Sequence, residues 1–379
     1  MMRYAIGGLF VFLLAIVWIA TRSVGEKPKF SVSNLKPDEV IVFFPAYGRF
    51  DSGQGSWLTR VHGNVHEPEY DSSKRATLIA TLRVAANASV GIEDEKFLED
   101  RLRPFLVDNE RDKSISVQVA GSNYSVGTSE PNGHFSKTIR LSDNVPPPSS
   151  SVENTTLELQ AVLPSDDQRR FTGRIHLIAP QGLSVISDID DTIKLSHVTD
   201  KSELIKNTFL REFRDVEGMA DIYTGLSKRG VAFHYVSGSV WQLYQPIAGF
   251  FSEAGFPRGT FHLKHFRLKD RSVSQLWSSQ TEHKLNAINP IIADFPNRHL
   301  VLIGDSGEQD PEIYGEIARQ YPDQIVGIFI RNATDESPDD ERFEKAFRKI
   351  ANNRWMLFDE ANEIQASLDK LASEHASAQ

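Results

Sequence analysis

From Gly182 onward the chain alternates short apolar runs with amphipathic ones, and this alternation restricts the fold more than any other feature of the sequence. LSVISDID, VAFHYVSGS, TFHLKHF, HLVLIGDS and QIVGIFIRN are strand-like, and helical patterns separate them around 203–213, 219–229, 241–254, 281–295 and 311–321. Such alternation predicts βαβ units around a parallel sheet. In these sheets ligands sit beyond the carboxyl ends of the strands, so the residues where each strand runs out deserve inspection first. The unit is expected over 181–360, with 361–379 as a polar C-terminal tail.

Upstream the pattern differs. EVIVFFPAYGRF, WLTRVHGNVHE, SISVQVAG, TLELQAVLP and TGRIHLIAP are short runs rich in Val, Ile, Phe and Thr, bounded by Gly, Pro and Asn. They predict a small, mainly-β, sandwich-like domain over 37–180, interrupted by helices near 73–86 and 93–107. His62, His66 and Glu67 read there as ordinary strand residues. A length of 379 residues suits two domains. The net charge of -9 argues against nucleic acid as a partner. The absence of cysteine excludes disulfides, thiolate metal sites and cysteine nucleophiles.

Between Arg3 and Arg22 lies an uncharged apolar run, YAIGGLFVFLLAIVWIAT, which as a helix would span about 27 Å. Residues 1–23 therefore read as a signal anchor or a signal peptide, followed by a polar tether over 24–36. The length of the run and its poor small-residue cleavage site favour an anchor, hence membrane association. The sidedness cues conflict. Arg22, Lys27 and Lys29 after the run favour a cytoplasmic catalytic part, whereas the secretory-like start points the other way.

The strand ends carry the chemistry. The first runs into Asp188-Ile-Asp190-Asp191-Thr192, the second into Ser237-Gly238-Ser239, and HLVLIG into Asp305, with Asp310 five residues on. Lys284 lies in the first turn of a predicted helix. In an extended chain Asp188 and Asp190 share a side and repel, unless water screens them or a cation sits between them. An EF-hand loop is excluded because its sixth position, Ile193, would need to be glycine. Several carboxylates, a hydroxyl and a lysine on one rim suit an oxyanion and a hard cation such as Mg²⁺. GDSG would also suit a serine hydrolase nucleophile at Ser306, but no histidine context accompanies it.

DIDDT resembles the first motif of the haloacid dehalogenase superfamily, and Ser237, Lys284 and GDSGEQD follow in the order of its other three. The wording of FHYVSGSVWQLY, KLNAI and LIGDSGEQDPEIY is similar to the phosphatidate phosphatase family first known from fungal actin patches, over roughly 180–335. The resemblance implies a haloacid dehalogenase-like Rossmannoid sheet and a Mg²⁺-dependent phosphatase. It implies that Asp188 is the nucleophile and Asp190 the proton donor. Asp188, the backbone carbonyl of Asp190, and Asp305 would hold Mg²⁺, with Asp310 supporting the shell. Ser237, the Gly238 amide and Lys284 would bind the phosphoryl group. Asp191 faces the other way and stays outside the catalytic set. The implied substrate is phosphatidate, a phospholipid met at a membrane surface and cleaved to diacylglycerol. The alternatives are another phosphomonoester, or a tethered binding protein with an inactive phosphatase fold. A basic run, Arg258, Lys264, Arg267, Lys269 and Arg271, could draw the site onto anionic lipid.

Overall fold

The computed structural model describes residues 31–70, 72–85, 95–148, 155–265 and 280–375. The apolar run of residues 1–23 and most of the tether lie outside them, as do Arg267, Lys269 and Arg271. Among the described residues, no helix is long and apolar enough to cross a membrane. The chain is a mixed α/β protein with two sheets.

Strands β1 (Val40–Phe44), β2 (Ala46–Asp51), β3 (Ser56–Tyr70), β4 (Val107–Asn109), β5 (Ser114–Val119), β6 (Ser122–Thr128), β7 (His134–Arg140), β8 (Thr156–Ala161) and β9 (Thr172–Ile178) form one sheet. Helices α1 (Ser72–Ala85) and α2 (Glu95–Leu106) interrupt it. The long β3 pairs with β1 and β2 along one edge and with β7 and β4 along the other. Trp57, Val61 and Val65 recur on one face of β3 and are buried with Ile115, Val117, Phe135, Leu159 and Ile175. Gly63 is required at the crossing: a Cβ there would meet the Phe135 ring at 2.5 Å and the Val42 carbonyl at 2.8 Å.

The second sheet is wholly parallel, in the order β12 (Thr260–Lys264), β11 (Ala232–Val240), β10 (Gly182–Ser187), β13 (Arg298–Asp305), β14 (Ile325–Arg331), β15 (Trp355–Phe358). Every residue of central β10 is buried, as expected of a strand covered on both faces. After the short α3 (Lys201–Ile205), one face is covered by α4 (Met219–Ser227), α5 (Tyr244–Ala254) and α9 (Asn362–Glu374), which comes last in the chain. The other is covered by α6 (Gln280–Asp294), α7 (Asp310–Gln320) and α8 (Glu341–Ala346). The segment read as a polar tail thus contributes a helix to the core. Ile364, Leu368 and Ala372 recur every four residues on one face and are buried.

The two sheets are tied together by side chains. Tyr47 Oη donates to Asp294 at 2.7 Å, Arg49 pairs with the same carboxylate at 2.8 Å, and the Phe44 ring lies 4.1 Å from that of Trp241. Trp241 therefore belongs to the packing between sheets. Lys264 is buried, so it is no part of an open basic face. Buried Arg298 fastens the entry to β10. It donates to Ser184 Oγ at 2.9 Å and to the carbonyls of Ala179 at 2.7 Å and Leu183 at 2.5 Å, and also to that of Gln181. Arg298→Met should cost about 3 kcal/mol, because it strands buried acceptors. Urea unfolding checks this, and an unchanged midpoint would show that those carbonyls find other donors.

Candidate active site

Strand pairing builds the site. Ser187 lies opposite Ile303 in the β10–β13 register, so Asp188, one residue on, and Asp305, two residues beyond Ile303, both emerge at the carboxyl end of the sheet. The Asp188 amide donates to the Ile303 carbonyl at 2.8 Å and continues the ladder. The chain then turns back: Ile193 and Lys194 amides both donate to the Ile189 carbonyl, and Asp191 takes a left-handed φ of 53°. Asp191 pays for that turn by accepting from the amides of Ser196 at 2.7 Å, His197 at 2.9 Å and Val198 at 2.6 Å. It shapes the loop. Thr192 Oγ1 donates to Asp188 Oδ2 at 3.2 Å.

One turn into α6, Lys284 is 1% exposed and sits among three carboxylates. Its Nζ lies 2.8 Å from Glu308 Oε2 and 2.5 Å from Asp310 Oδ1. It also lies 2.9 Å from Asp188 Oδ1, an ion-pair contact without hydrogen-bond geometry. Asp310 is used twice, since its Oδ2 accepts from the Asp305 amide at 3.3 Å. Asp305 Oδ2 accepts from the amides of Gly307 at 2.6 Å and Glu308 at 3.2 Å, whereas its buried Oδ1 receives no hydrogen bond.

Asp190 stands apart from this group. Its Oδ1 meets Lys194 Nζ and Ser196 Oγ, each at 2.7 Å, and its Oδ2 meets Ser237 Oγ at 3.0 Å and Ser239 Oγ at 2.9 Å. Ser237, expected at the phosphoryl group, here spends its hydroxyl on Asp190. Gly238 lines a cleft of about 410 Å³ with Asp190, Ser239 and Glu308, whose walls include Val198, Leu204, Phe209, Val240 and Leu243. Ser306 bonds Thr334 Oγ1 and the Ala333 amide.

Burial pushes the Asp188 carboxyl well above its usual range; Lys284 opposes this, while Asp310, Glu308 and Asp190 add to it. Asp305 is raised by burial and by Asp310, Glu308 and Asp188, against Lys284. Burial raises Glu308 too, against Lys284. For Lys284 itself burial works downward, but Asp188, Asp310 and Glu308 prevail and hold it well above the ordinary lysine value. Asp190 goes the other way: burial opposes ionisation, yet the charge and hydrogen bond of Lys194, with Ser196 and Ser239, bring it down to about 2. One ammonium thus faces more carboxylates than it can neutralise. Asp188, Asp305 and Glu308 each offer an oxygen, all within 4.8 Å of one another. That donor set, with the bare Asp305 Oδ1, fits a hard divalent cation.

The structure therefore unites Asp188, Lys284, Asp305 and Asp310 as the strand ends predicted, and holds Asp190, Ser237 and Gly238 beside them. Sequence reasoning missed Glu308, Lys194 and Ser196. Glu308 was in view within GDSGEQD, and the polar Lys194 and Ser196 within the apolar stretch TIKLSHV were the signal for the other two.

Fold and site together define a class: a parallel α/β domain that gathers carboxylates and a lysine at its strand ends. Comparison with known proteins narrows it. Residues 183–332 match the family described as phosphatidate phosphatase APP1, catalytic domain, as the motifs implied. Phosphatidate phosphatase APP1 of Saccharomyces cerevisiae is 29% identical over 275 residues, covering 70% of this chain and 45% of that protein. An uncharacterized protein of Schizosaccharomyces pombe is 30% identical over 194 residues, covering 49% of this chain and 32% of that one. The chain spans less than half the length of these curated relatives. Among solved structures, a Parabacteroides merdae beta-glucuronidase aligns over 78% of this chain and 34% of that chain at 11% identity and a TM-score of 0.27, too low to bear on the fold.

A carboxyl whose pKa is raised on folding favours its protonated form, so it costs stability once the pH exceeds its unfolded value of about 4. Without a cation, Asp305 should therefore destabilise the protein as pH rises from about 4 to neutrality. In chelator at neutral pH, Asp305→Asn should raise the melting temperature by ~2 °C or more. The amide oxygen can keep the bonds from Gly307 and Glu308. Thermal denaturation checks this, and a lower melting temperature would contradict it.

Proposed function

We propose that the chain is a phosphoric monoester hydrolase with a haloacid dehalogenase-like catalytic domain, working through an aspartyl-phosphate on Asp188 and acting on phosphatidate. The observation that carries this reading is Asp188 at the end of the central strand, buried against the Lys284 ammonium and beside Asp305. A carboxylate there is an activated nucleophile for phosphorus.

In the first step an Asp188 oxygen bonds to phosphorus while the bond from phosphorus to the leaving oxygen breaks. The leaving oxygen takes a proton from Asp190 and departs as an alcohol. Asp190 rests as a carboxylate, so the proton it passes on arrives with the substrate: a phosphate monoester has a second pKa of about 6 and its monoanion carries one acidic proton. Water then attacks the acyl phosphate and gives a proton to Asp190, which passes it to the departing phosphate, so that both the Asp188 and Asp190 carboxylates are restored. Lys284 offsets the charge on the transferred group. Ser237 exchanges Asp190 for a phosphoryl oxygen, and the Gly238 amide donates beside it. Asp188, Asp305 and Glu308, with the Asp190 carbonyl, would hold Mg²⁺; Asp310 supports them through Lys284 and the Asp305 amide. When bound, Mg²⁺ supplies charge neutralisation that lets two anions meet.

The lipid assignment draws on the activity for which the Saccharomyces cerevisiae relative is named and on the apolar walls of the cleft beside Asp190. It makes the apolar run of residues 1–23 a means of holding the enzyme at a membrane surface. Asp188→Asn should lower phosphate release from phosphatidate in mixed micelles by at least about 10³-fold. Chelation should abolish release and Mg²⁺ restore it. Sugar and nucleotide phosphates form the comparison panel: a preference for them would overturn the lipid assignment, and undiminished release by Asp188→Asn would overturn the mechanism.

A further inference from the structure

The carboxylate of Asp190 is saturated. Lys194 and Ser196, from the turn after β10, take one oxygen; Ser237 and Ser239, from the end of β11, take the other. Lys194 is the unusual member. Its side chain is 2% exposed, its ammonium lies 5.0 Å from the centroid of the Phe213 ring, and it also bonds Ser196 Oγ. The Lys194 carbonyl accepts from the Asp191 amide at 2.7 Å, so the turn itself fixes the stem of the side chain. Burying a lysine is costly unless its partner is always present. Its neighbours Ile193 and Leu195 are apolar, and an apolar side chain would fill the same space more cheaply. Folding alone therefore gives no reason for an ammonium here, and Asp190 does.

We propose that Lys194 is a positioning residue for the proton-transfer step, acting through Asp190 with Ser196 and Ser239 as its partners. The two oxygens of Asp190 are held from two different strand ends, which fixes both the direction and the plane of the carboxyl where it lines the cleft. A leaving oxygen in that cleft meets a carboxyl group already aimed at it, so the proton taken up from the substrate is passed on with no reorientation during bond cleavage. The two buried lysines thus have separate tasks. Lys284 serves the nucleophile and the carboxylates around it, and Lys194 serves the departure of the alcohol. This rests on the reading of Asp190 as the donor, so the experiment has to separate the two.

Two substrates do so. Phosphatidate releases an alkoxide, which needs a proton; p-nitrophenyl phosphate releases a stabilised phenolate, which does not. The ratio of kcat/KM for the two compares steps up to departure of the leaving group and leaves out hydrolysis of the acyl phosphate. Asp190→Asn should lower the phosphatidate-to-aryl ratio by about 100-fold, the scale of general acid catalysis. Lys194→Met should lower it to a comparable degree, Lys194→Arg should recover most of it, and Ser239→Ala should lower it by about 10-fold. Turnover of the aryl ester shows that each variant is folded, and Ser239→Ala carries the test if Lys194→Met is not. If Asp190→Asn lowers the ratio but Lys194→Met and Ser239→Ala depress both substrates equally, the positioning role is overturned and the donor stands. If Asp190→Asn itself leaves the ratio unchanged, both fall.

Discussion

The site depends on the Lys284 ammonium. The parallel register that seats β10 beside β13 forces Asp188 and Asp305 together, and α7 begins close enough to add Asp310. Glu308 arrives from the connecting turn. Like charges at this depth interact far more strongly than in water, because little solvent remains to screen them. Lys284 answers three of the four carboxyl groups directly, and α6 is positioned to deliver it. What it cannot answer is left at Asp305, whose buried Oδ1 receives no hydrogen bond.

The protein handles its carboxylates in two opposite ways. Asp188 and Asp305 are held with their pKa values pushed up, in an arrangement that costs stability as the pH rises above the ordinary carboxylate range. Asp190, only two residues from Asp188, is held down by a full set of donors. Neighbouring groups with environments this different are a common way for one site to supply a nucleophile and a proton carrier together. The turn at Asp191 separates them, since it sends the chain back so that Lys194 reaches Asp190.

The sequence disclosed the parts that follow from periodicity. β10, β11, β13 and β14 were visible as apolar runs, so Asp188, Ser237 and Asp305 could be placed at strand ends, and Lys284 and Asp310 followed from the helices. Lys194 and Ser196 stood out as polar residues in an apolar stretch, but their place beside Asp190 was not legible, because a left-handed residue reverses the chain there and no repeat announces such a reversal. Glu308 was overlooked because its reach toward Asp188 and Asp305 depends on the turn that Asp305 itself caps. The use of Ser237 by Asp190 depends on side-chain direction across two strands, which spacing along one strand cannot give. At the C-terminus the four-residue recurrence of Ile364, Leu368 and Ala372 was present, but the surrounding charge masked it.

Chemistry at Asp188 is the claim on which the rest stands, and covalent trapping tests it most directly. The full-length protein, mixed with radiolabelled phosphatidate and Mg²⁺ and quenched in acid during turnover, should carry label on the peptide containing Asp188. Hydroxylamine should release that label, as it does from an acyl phosphate. Turnover with no labelled protein at any time, or label that resists hydroxylamine or maps to another residue, would contradict the account.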